Sequence, residues 1–285
     1  MLCLIPDTDL DRFIEEDMPY GDLTTSLLGI GGEKGEISFT SREKSVACCT
    51  EEAGRVLGKC GAKVTFALPS GTAVEPGTML LQAEGTAAAL HAGWKVALNL
   101  LEYASGIATR TDSIVGKARA VNPDIAVVTT RKSFPGTRKI SMKAIMAGGA
   151  QPHRLGLSES VLVFSQHTVF LGGLEPFLET LSSLKKRAPE HRILVEADTF
   201  DEALSIAKAG ADVVQVDKMP APELAALVAE IRRTCPGTAV SAAGGINIDN
   251  VDAYASTGID IIVLSSVYFG KPSDISAIIT HKQKP

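Results

Sequence analysis

The sequence predicts an α/β protein whose larger part is a parallel sheet wrapped by helices. Three observations lead there. From Asp124 onward, short runs rich in β-branched residues fall at 125–130, 161–164, 193–197, 213–217, 239–242 and 261–264. Helix-length segments alternate with them: Glu175–Ala188, Asp201–Ala209, Ala221–Thr234 and Asp249–Ser256. The spacing, roughly 20–36 residues per unit, is that of β/α repeats. Right-handed crossovers curl such repeats into an incomplete barrel of about six strands or a doubly wound sheet, and periodicity does not separate the two. Finally, reactive groups collect where the strands end, the place where β/α folds put function.

The first hundred residues read differently. Glu36–Ser41, Lys63–Ala67 and Met79–Ala83 are strand-like, and Glu51–Cys60 has helical spacing. Pro69-Ser70-Gly71 and Glu75-Pro76-Gly77 mark turns, so a small α+β unit is expected. From Thr86 to Asn122 the pattern is helical, with a break expected at Ser105-Gly106. Leu90, Trp94, Ala97, Leu98 and Leu101 line one apolar face of it, suited to joining domains or subunits.

Composition narrows the function classes. The chain has 285 residues and a formal net charge of −5, which argues against a nucleic-acid partner. Its apolar runs, such as IAVV at 125–128 and IIVL at 261–264, are too short to span a bilayer, so no membrane partner is expected. The opening run MLCLIPDTDLDRF shows no basic n-region or cleavage signature, so no secretory signal is expected. The five cysteines show neither CxxC nor zinc spacing, as suits reduced thiols in a cytoplasmic protein.

Against that acidic background, Ile125 to Ser158 contains no Asp or Glu, yet holds Arg131, Lys132, Arg138, Lys139, Lys143 and Arg154. Concentrated cations suggest an anion site, the plainer alternative being a solvated helix face. The strand ends carry compatible chemistry: Thr130-Arg131-Lys132, Ser165-Gln166-His167, Glu196-Ala197-Asp198, Asp217-Lys218, Ala243-Gly244-Gly245 and Ser265-Ser266. Glycines between strand and helix let backbone N–H groups approach a phosphate, and Ser265 and Ser266 add hydroxyls beside them. Glu196 and Asp217 end successive strands. They suit a Mg²⁺ ion that reaches a phosphate, or positive charge developing on a sugar carbon, or simply balance of the cation cluster. His153-Arg154 offers a fork for a carboxylate or diphosphate. These residues predict a site for a phosphorylated, highly anionic substrate with Mg²⁺.

Several long motifs now stand in order: EEDMPYGDLTT at 15–25, ALNLLEYASGIAT at 97–109, TTRKSFPGTRK at 129–139, GGAQPHRLGL at 148–157, LVEAD at 194–198, QVDKM at 215–219 and SAAGGIN at 241–247. Over nearly its whole length the chain resembles the quinolinate phosphoribosyltransferase family (carboxylating nicotinate-nucleotide pyrophosphorylases), and within it the ModD branch associated with molybdenum-transport operons. The resemblance implies an N-terminal α/β sandwich over 1–110, joined by the C-terminal segment 270–285, and an open α/β barrel over 111–269. It also implies a homodimer with shared active sites, or a higher oligomer built from it. The implied reaction joins phosphoribosyl pyrophosphate to quinolinate or a related heterocyclic acid, releasing pyrophosphate, and CO₂ when quinolinate is the acceptor.

By position the resemblance assigns Arg131, Lys132, His153 and Arg154 to the aromatic acid and pyrophosphate. Glu196 and Asp217 face the ribose and Mg²⁺, and Gly244 and Gly245 take the 5′-phosphate. Lys132, Glu196 and Asp217 are the catalytic candidates, with Ser265 and Ser266 beside the phosphate. Three positions depart from the family pattern. Phe164 stands where the family has a lysine, Lys95 replaces an arginine supplied by the partner subunit, and Ala243 replaces a serine. Lysine keeps charge but lacks the bidentate fork, so an altered acceptor is expected. Non-catalytic anion binding, as a molybdenum-operon accessory, and Schiff-base chemistry at Lys132 are the competing readings.

Overall fold

Alternating apolar residues and Gly/Pro turns in the first eighty-odd positions build an antiparallel sheet, and the β-branched runs after Asp124 build a parallel one. The computed structural model describes residues 5–282, so the N-terminal residues through Leu4, Cys3 among them, and residues 283–285 lie outside it. In chain order, α1 (Asp7–Asp17) and α2 (Leu23–Leu28) precede β1 (Lys34–Ser41), β2 (Ser45–Val46), α3 (Thr50–Lys59), β3 (Lys63–Ala67), β4 (Ala73–Val74) and β5 (Met79–Thr86). Helix α4 (Ala87–Val121) leads to β6 (Ala126–Thr129), α5 (Arg138–Ala147), β7 (Gln151–Pro152), β8 (Val161–Val163), α6 (Ser165–Thr168) and α7 (Leu174–Arg187). Then come β9 (Ile193–Ala197), α8 (Phe200–Lys208), β10 (Val213–Asp217), α9 (Ala221–Thr234), β11 (Ala239–Ala243), α10 (Val251–Ala255), β12 (Ile261–Leu264) and β13 (Ile275–His281).

The chain divides into two compact units. Among the described residues the first comprises 5–112, 134–149 and 267–282, the second 113–133 and 150–266. These bounds differ from the expected 1–110 and 111–269 mainly in α5, which groups with the first unit. Gly148 shows why. A Cβ there would sit 2.4 Å from the Ala108 carbonyl oxygen and 2.6 Å from Thr111 Cβ, so only glycine lets the end of α5 lie against α4. The first unit's sheet runs β13-β1-β5-β3, with the C-terminal strand antiparallel to β1. On β1, Ile37, Phe39 and Ser41 are buried while the residues between them are partly open, the alternation of a sheet covered on one face.

The expected break at Ser105-Gly106 does not occur; α4 continues through it. Both small residues serve packing. A Cβ on Gly106 would meet Pro272 Cα at 2.9 Å, and Ser105 Oγ accepts the Cys48 N–H at 3.0 Å.

The second unit is a seven-stranded parallel sheet, order β7-β6-β12-β11-β10-β9-β8, curled into an open half-barrel. It exceeds the six expected strands by β7, two residues with no apolar run to announce them. Register pairs Gln215 with Glu196 on one side and Ser241 on the other. Alternate residues therefore form inward rows: Leu162, Leu194 and Val213 pack in one buried cluster, extended by Phe164 and Ile261, and Val128, Ala243 and Val263 in another. Each fully buried aliphatic side chain contributes on the order of 1.5–3 kcal/mol. The last crossover helix begins at Val251, later than Asp249, because Asn247 and Asn250 turn the chain first: the Asn247 N–H donates to Asn250 Oδ1 at 2.8 Å. Among the described residues no helix is long and apolar enough to cross a membrane.

Candidate active site

At the C-terminal ends of the barrel strands lies a cavity of about 590 Å³, lined wholly by residues of the second unit. Strand β6 delivers Thr130, Arg131 and Lys132 to it, and β7 delivers His153 and Arg154. The His153 N–H donates to the Thr129 carbonyl at 2.9 Å, so the sheet itself fixes where this pair stands.

Arg154 is 9% exposed, and no carboxylate lies within ion-pairing distance of it, of Arg131 or of Lys132 among the described residues. Burial, and then Arg131 close by, pull the Arg154 guanidinium below its ordinary pKa. Burial first and Arg154 second lower His153 to about 4, so its imidazole is neutral at neutral pH. Its Nε2 is buried and lacks a partner in the protein. A buried cation without a counter-charge costs several kcal/mol. The fold keeps one here beside a second cation and an unpaired ring nitrogen, an arrangement whose chemistry suits an anion.

Across the floor, β9 and β10 present Glu196, Gln215 and Asp217. Gln215 Nε2 donates to Glu196 Oε2 at 2.7 Å, while Gln215 Oε1 is buried and unpartnered. Burial raises the Glu196 carboxyl above its ordinary value, the Gln215 bond opposes that rise, and Asp217 and Asp198 add to it. Asp217 Oδ2 lies 3.1 Å from the Lys218 ammonium, which is largely exposed.

Strand β11 ends at Ala243 and enters Gly244 and Gly245, with φ of +86° and +75°. A Cβ on Gly244 would sit 2.4 Å from Asp217 Oδ1 and 2.8 Å from the Lys218 backbone nitrogen, so glycine is required by both space and conformation. Lys218 itself adopts a left-handed φ of +56°, and its N–H donates to the Ala243 carbonyl at 2.8 Å. Ser265 Oγ is 2.7 Å from Thr130 Oγ1, and Ser266 Oγ donates to the Ile246 carbonyl at 2.9 Å, so both hydroxyls are held at the rim.

Of the twelve residues given a catalytic or binding role from the sequence, eleven, all but Lys95, thus line one cavity. Lys95 belongs to the first unit, with its ammonium 4.6 Å from the Trp94 ring centre. His167 and Asp198 do not line the cavity. His167 instead stacks on Phe164, ring centres 5.7 Å apart. Sequence reasoning gave Gln215 no role, and named Lys218 only as the neighbour of Asp217. The signal for Gln215 was present: a polar residue within the run VVQVD, two positions before Asp217 and so on the same face of the strand.

Comparison with known proteins bears on the family and the fold. The profile described as Quinolinate phosphoribosyl transferase, C-terminal domain, matches residues 107–276, and that for the N-terminal domain matches residues 22–105. A protein of Rhodobacter capsulatus, provisionally named pyrophosphorylase ModD, is 47% identical over 247 residues, 87% of this chain and 95% of the relative. One from Methanothermobacter thermautotrophicus, provisionally named nicotinate-nucleotide pyrophosphorylase (carboxylating), is 30% identical over 263 residues, 90% of this chain and 92% of the relative. The crystal structure of nicotinate-nucleotide pyrophosphorylase from Ehrlichia chaffeensis superposes with a TM-score of 0.89 at 24% identity, covering 98% of this chain and 100% of that one, which speaks to the fold. The chain belongs to the quinolinate phosphoribosyltransferase family of pentosyltransferases.

Proposed function

We propose that the protein transfers phosphoribose from phosphoribosyl pyrophosphate to the ring nitrogen of a heterocyclic acid, quinolinate or a relative of it, with release of pyrophosphate. The observation that carries this reading is the pairing of an uncompensated cationic wall, Arg131, Lys132 and buried Arg154, with the carboxylates Glu196 and Asp217 in one cavity. A site built only to hold an oxyanion gains nothing from two carboxylates. A sugar carbon that becomes positive as its leaving group departs gains stabilisation from them.

Each residue then has a task. The backbone of Gly244 and Gly245 holds the 5′-phosphate, with Ser265 and Ser266 at the rim. Arg131, Lys132 and Arg154 bind the diphosphate and the acceptor's carboxylate, so leaving group and nucleophile stand in line across the anomeric carbon. Neutral His153 offers Nε2 to an oxygen of either group. Glu196, held by Gln215, faces the ribose. Glu196 and Asp217 are also the donors for Mg²⁺: among the described residues there is no cluster of three or more His, Cys, Asp or Glu to cage a metal. Two carboxylates suit an ion that takes its remaining ligands from substrate phosphates and water. When bound, Mg²⁺ neutralises charge on the diphosphate. The expected homodimer would bring Lys95 of a second copy into play.

The test is calorimetry and a pyrophosphate-release assay with phosphoribosyl pyrophosphate, Mg²⁺ and candidate acids. Glu196→Gln is expected to lower kcat on the order of 100–1,000-fold, the usual cost of losing one group that stabilises transition-state charge. It should leave phosphoribosyl pyrophosphate affinity within a few-fold. Tight binding of molybdate without affinity for phosphoribosyl pyrophosphate would overturn the reading in favour of an accessory anion-binding role.

A further inference from the structure

We infer that the acceptor is a planar heteroaromatic acid with a single carboxylate, and that its transfer proceeds without loss of CO₂; this rests on the reading that the site transfers phosphoribose. All the uncompensated cations of the cavity come from β6 and β7, as Arg131, Lys132 and Arg154. The opposite side comes from β8 and consists of Leu162 and Phe164. Neither side chain donates a hydrogen bond. The Phe164 N–H is already used, donating to His167 Nδ1 at 3.0 Å, and no residue of α6 lines the cavity. The same imidazole stacks on the Phe164 ring with an interplanar angle of 20°, which holds the phenyl in place.

The floor next to this apolar side makes it still less hospitable to an acid. Glu196 stands on β9, the strand next to β8, and lines the same cavity. Beside it the unpartnered Gln215 Oε1 is a buried acceptor at the same level of the sheet. A carboxylate turned toward Phe164 would lose water, meet no donor among the side chains lining that side, and face two oxygen acceptors, a costly place for an unpaired charge. A ring C–H edge fits it. A carboxylate turned toward Arg131 and Arg154 is paired. The cavity therefore supports one acid group and an apolar opposite edge.

The step balances without a further reactant. The ring nitrogen's lone pair forms the N–C1′ bond, the C1′–O bond to the diphosphate breaks, and its electron pair leaves on pyrophosphate. The ring keeps its carboxylate.

The experiment compares nicotinate with quinolinate, which differ by one carboxylate, using the full chain with phosphoribosyl pyrophosphate and Mg²⁺. Pyrophosphate release, labelled CO₂ from carboxyl-labelled acids, and calorimetric Kd values are measured. Nicotinate is expected to have the higher kcat/KM and the lower Kd, by on the order of 10–100-fold, the usual weight of one charge-assisted contact. Phe164→Lys should erase or reverse that preference in Kd, and Phe164→Leu, which keeps the apolar edge, should preserve it. Preference for quinolinate, CO₂ release during turnover, or failure of both acids to bind while phosphoribosyl pyrophosphate binds overturns the single-carboxylate inference and leaves phosphoribosyl transfer standing. No binding of phosphoribosyl pyrophosphate overturns both.

Discussion

The acid-free run from Ile125 to Ser158 contains two cation groups that look alike in sequence and end in opposite situations. Arg131, Lys132 and Arg154 line the barrel cavity with no carboxylate in reach among the described residues. On α5, Lys143 is bound by Glu51 at 2.9 Å and by buried Glu52, and Lys139 by Asp9 at 2.8 Å. Those anions come from α1 and α3, far away in sequence and invisible to a local charge count. A cluster of positive charge becomes a ligand site where the fold withholds its counter-ions, and becomes structural glue where the fold supplies them.

Removing a cation should therefore have opposite effects in the two groups. Arg154→Met is expected to weaken phosphoribosyl pyrophosphate binding by about 100-fold, the cost of a lost charge-assisted contact. The same change should raise the Tm of the ligand-free protein, because it removes a buried charge that nothing balances. Calorimetry and thermal unfolding read both, and a lower Tm would mean that Arg154 is structural after all. Lys143→Met reverses the pattern. It strands Glu52, only 4% exposed, and is expected to destabilise the fold by about 2–3 kcal/mol, below the cost of a fully buried pair since Glu51 is half open. Its phosphoribosyl pyrophosphate Kd should stay unchanged.

Acid titration separates the two groups by pH window. Burial would raise Glu51, but hydrogen bonds from Ser70 and Lys143 outweigh it and hold the carboxyl down at about 2. A depressed carboxylate stabilises the fold above its ordinary value of 4.5, and that contribution is lost as pH falls from there toward 2. His153, depressed to about 4 from 6.5, is neutral in the fold but takes up a proton when unfolded. Stability should therefore fall as pH drops from 6.5 to 4 on its account, then level. Urea midpoints of His153→Gln should lose the upper slope alone, and those of Glu51→Gln the lower one alone. The smallest effect is expected for Lys139→Ala, whose ion pair is more than half open on the lysine side: about 0.5 kcal/mol or less, with no change in ligand affinity.

Much of the fold could be read locally. The strands at 193–197, 213–217 and 261–264 and the helix at Ala221–Thr234 match the observed bounds, because strong periodicity and turn residues mark their ends. Strand β7 escaped notice since two residues following Gly-Gly carry no pattern, yet it is what delivers His153 and Arg154. Gly106 was misread for a related reason. In sequence a glycine within a helical run looks like a break, and only the close approach of residues 271–273 shows it to be a packing contact.

What the sequence by itself determined is the inventory: the order of β/α units, the reactive groups at their strand ends, and the cations and carboxylates of the candidate site. Alternation and strand-end position are local properties, so they are written in the chain. The tertiary structure decided which of those charges are free to bind. It neutralised Lys139 and Lys143 with distant acids, buried Arg154 without one, and placed Gln215 against Glu196 through sheet register. Electrostatic balance is a sum over spatial neighbours, and the chain sets those neighbours only when it folds.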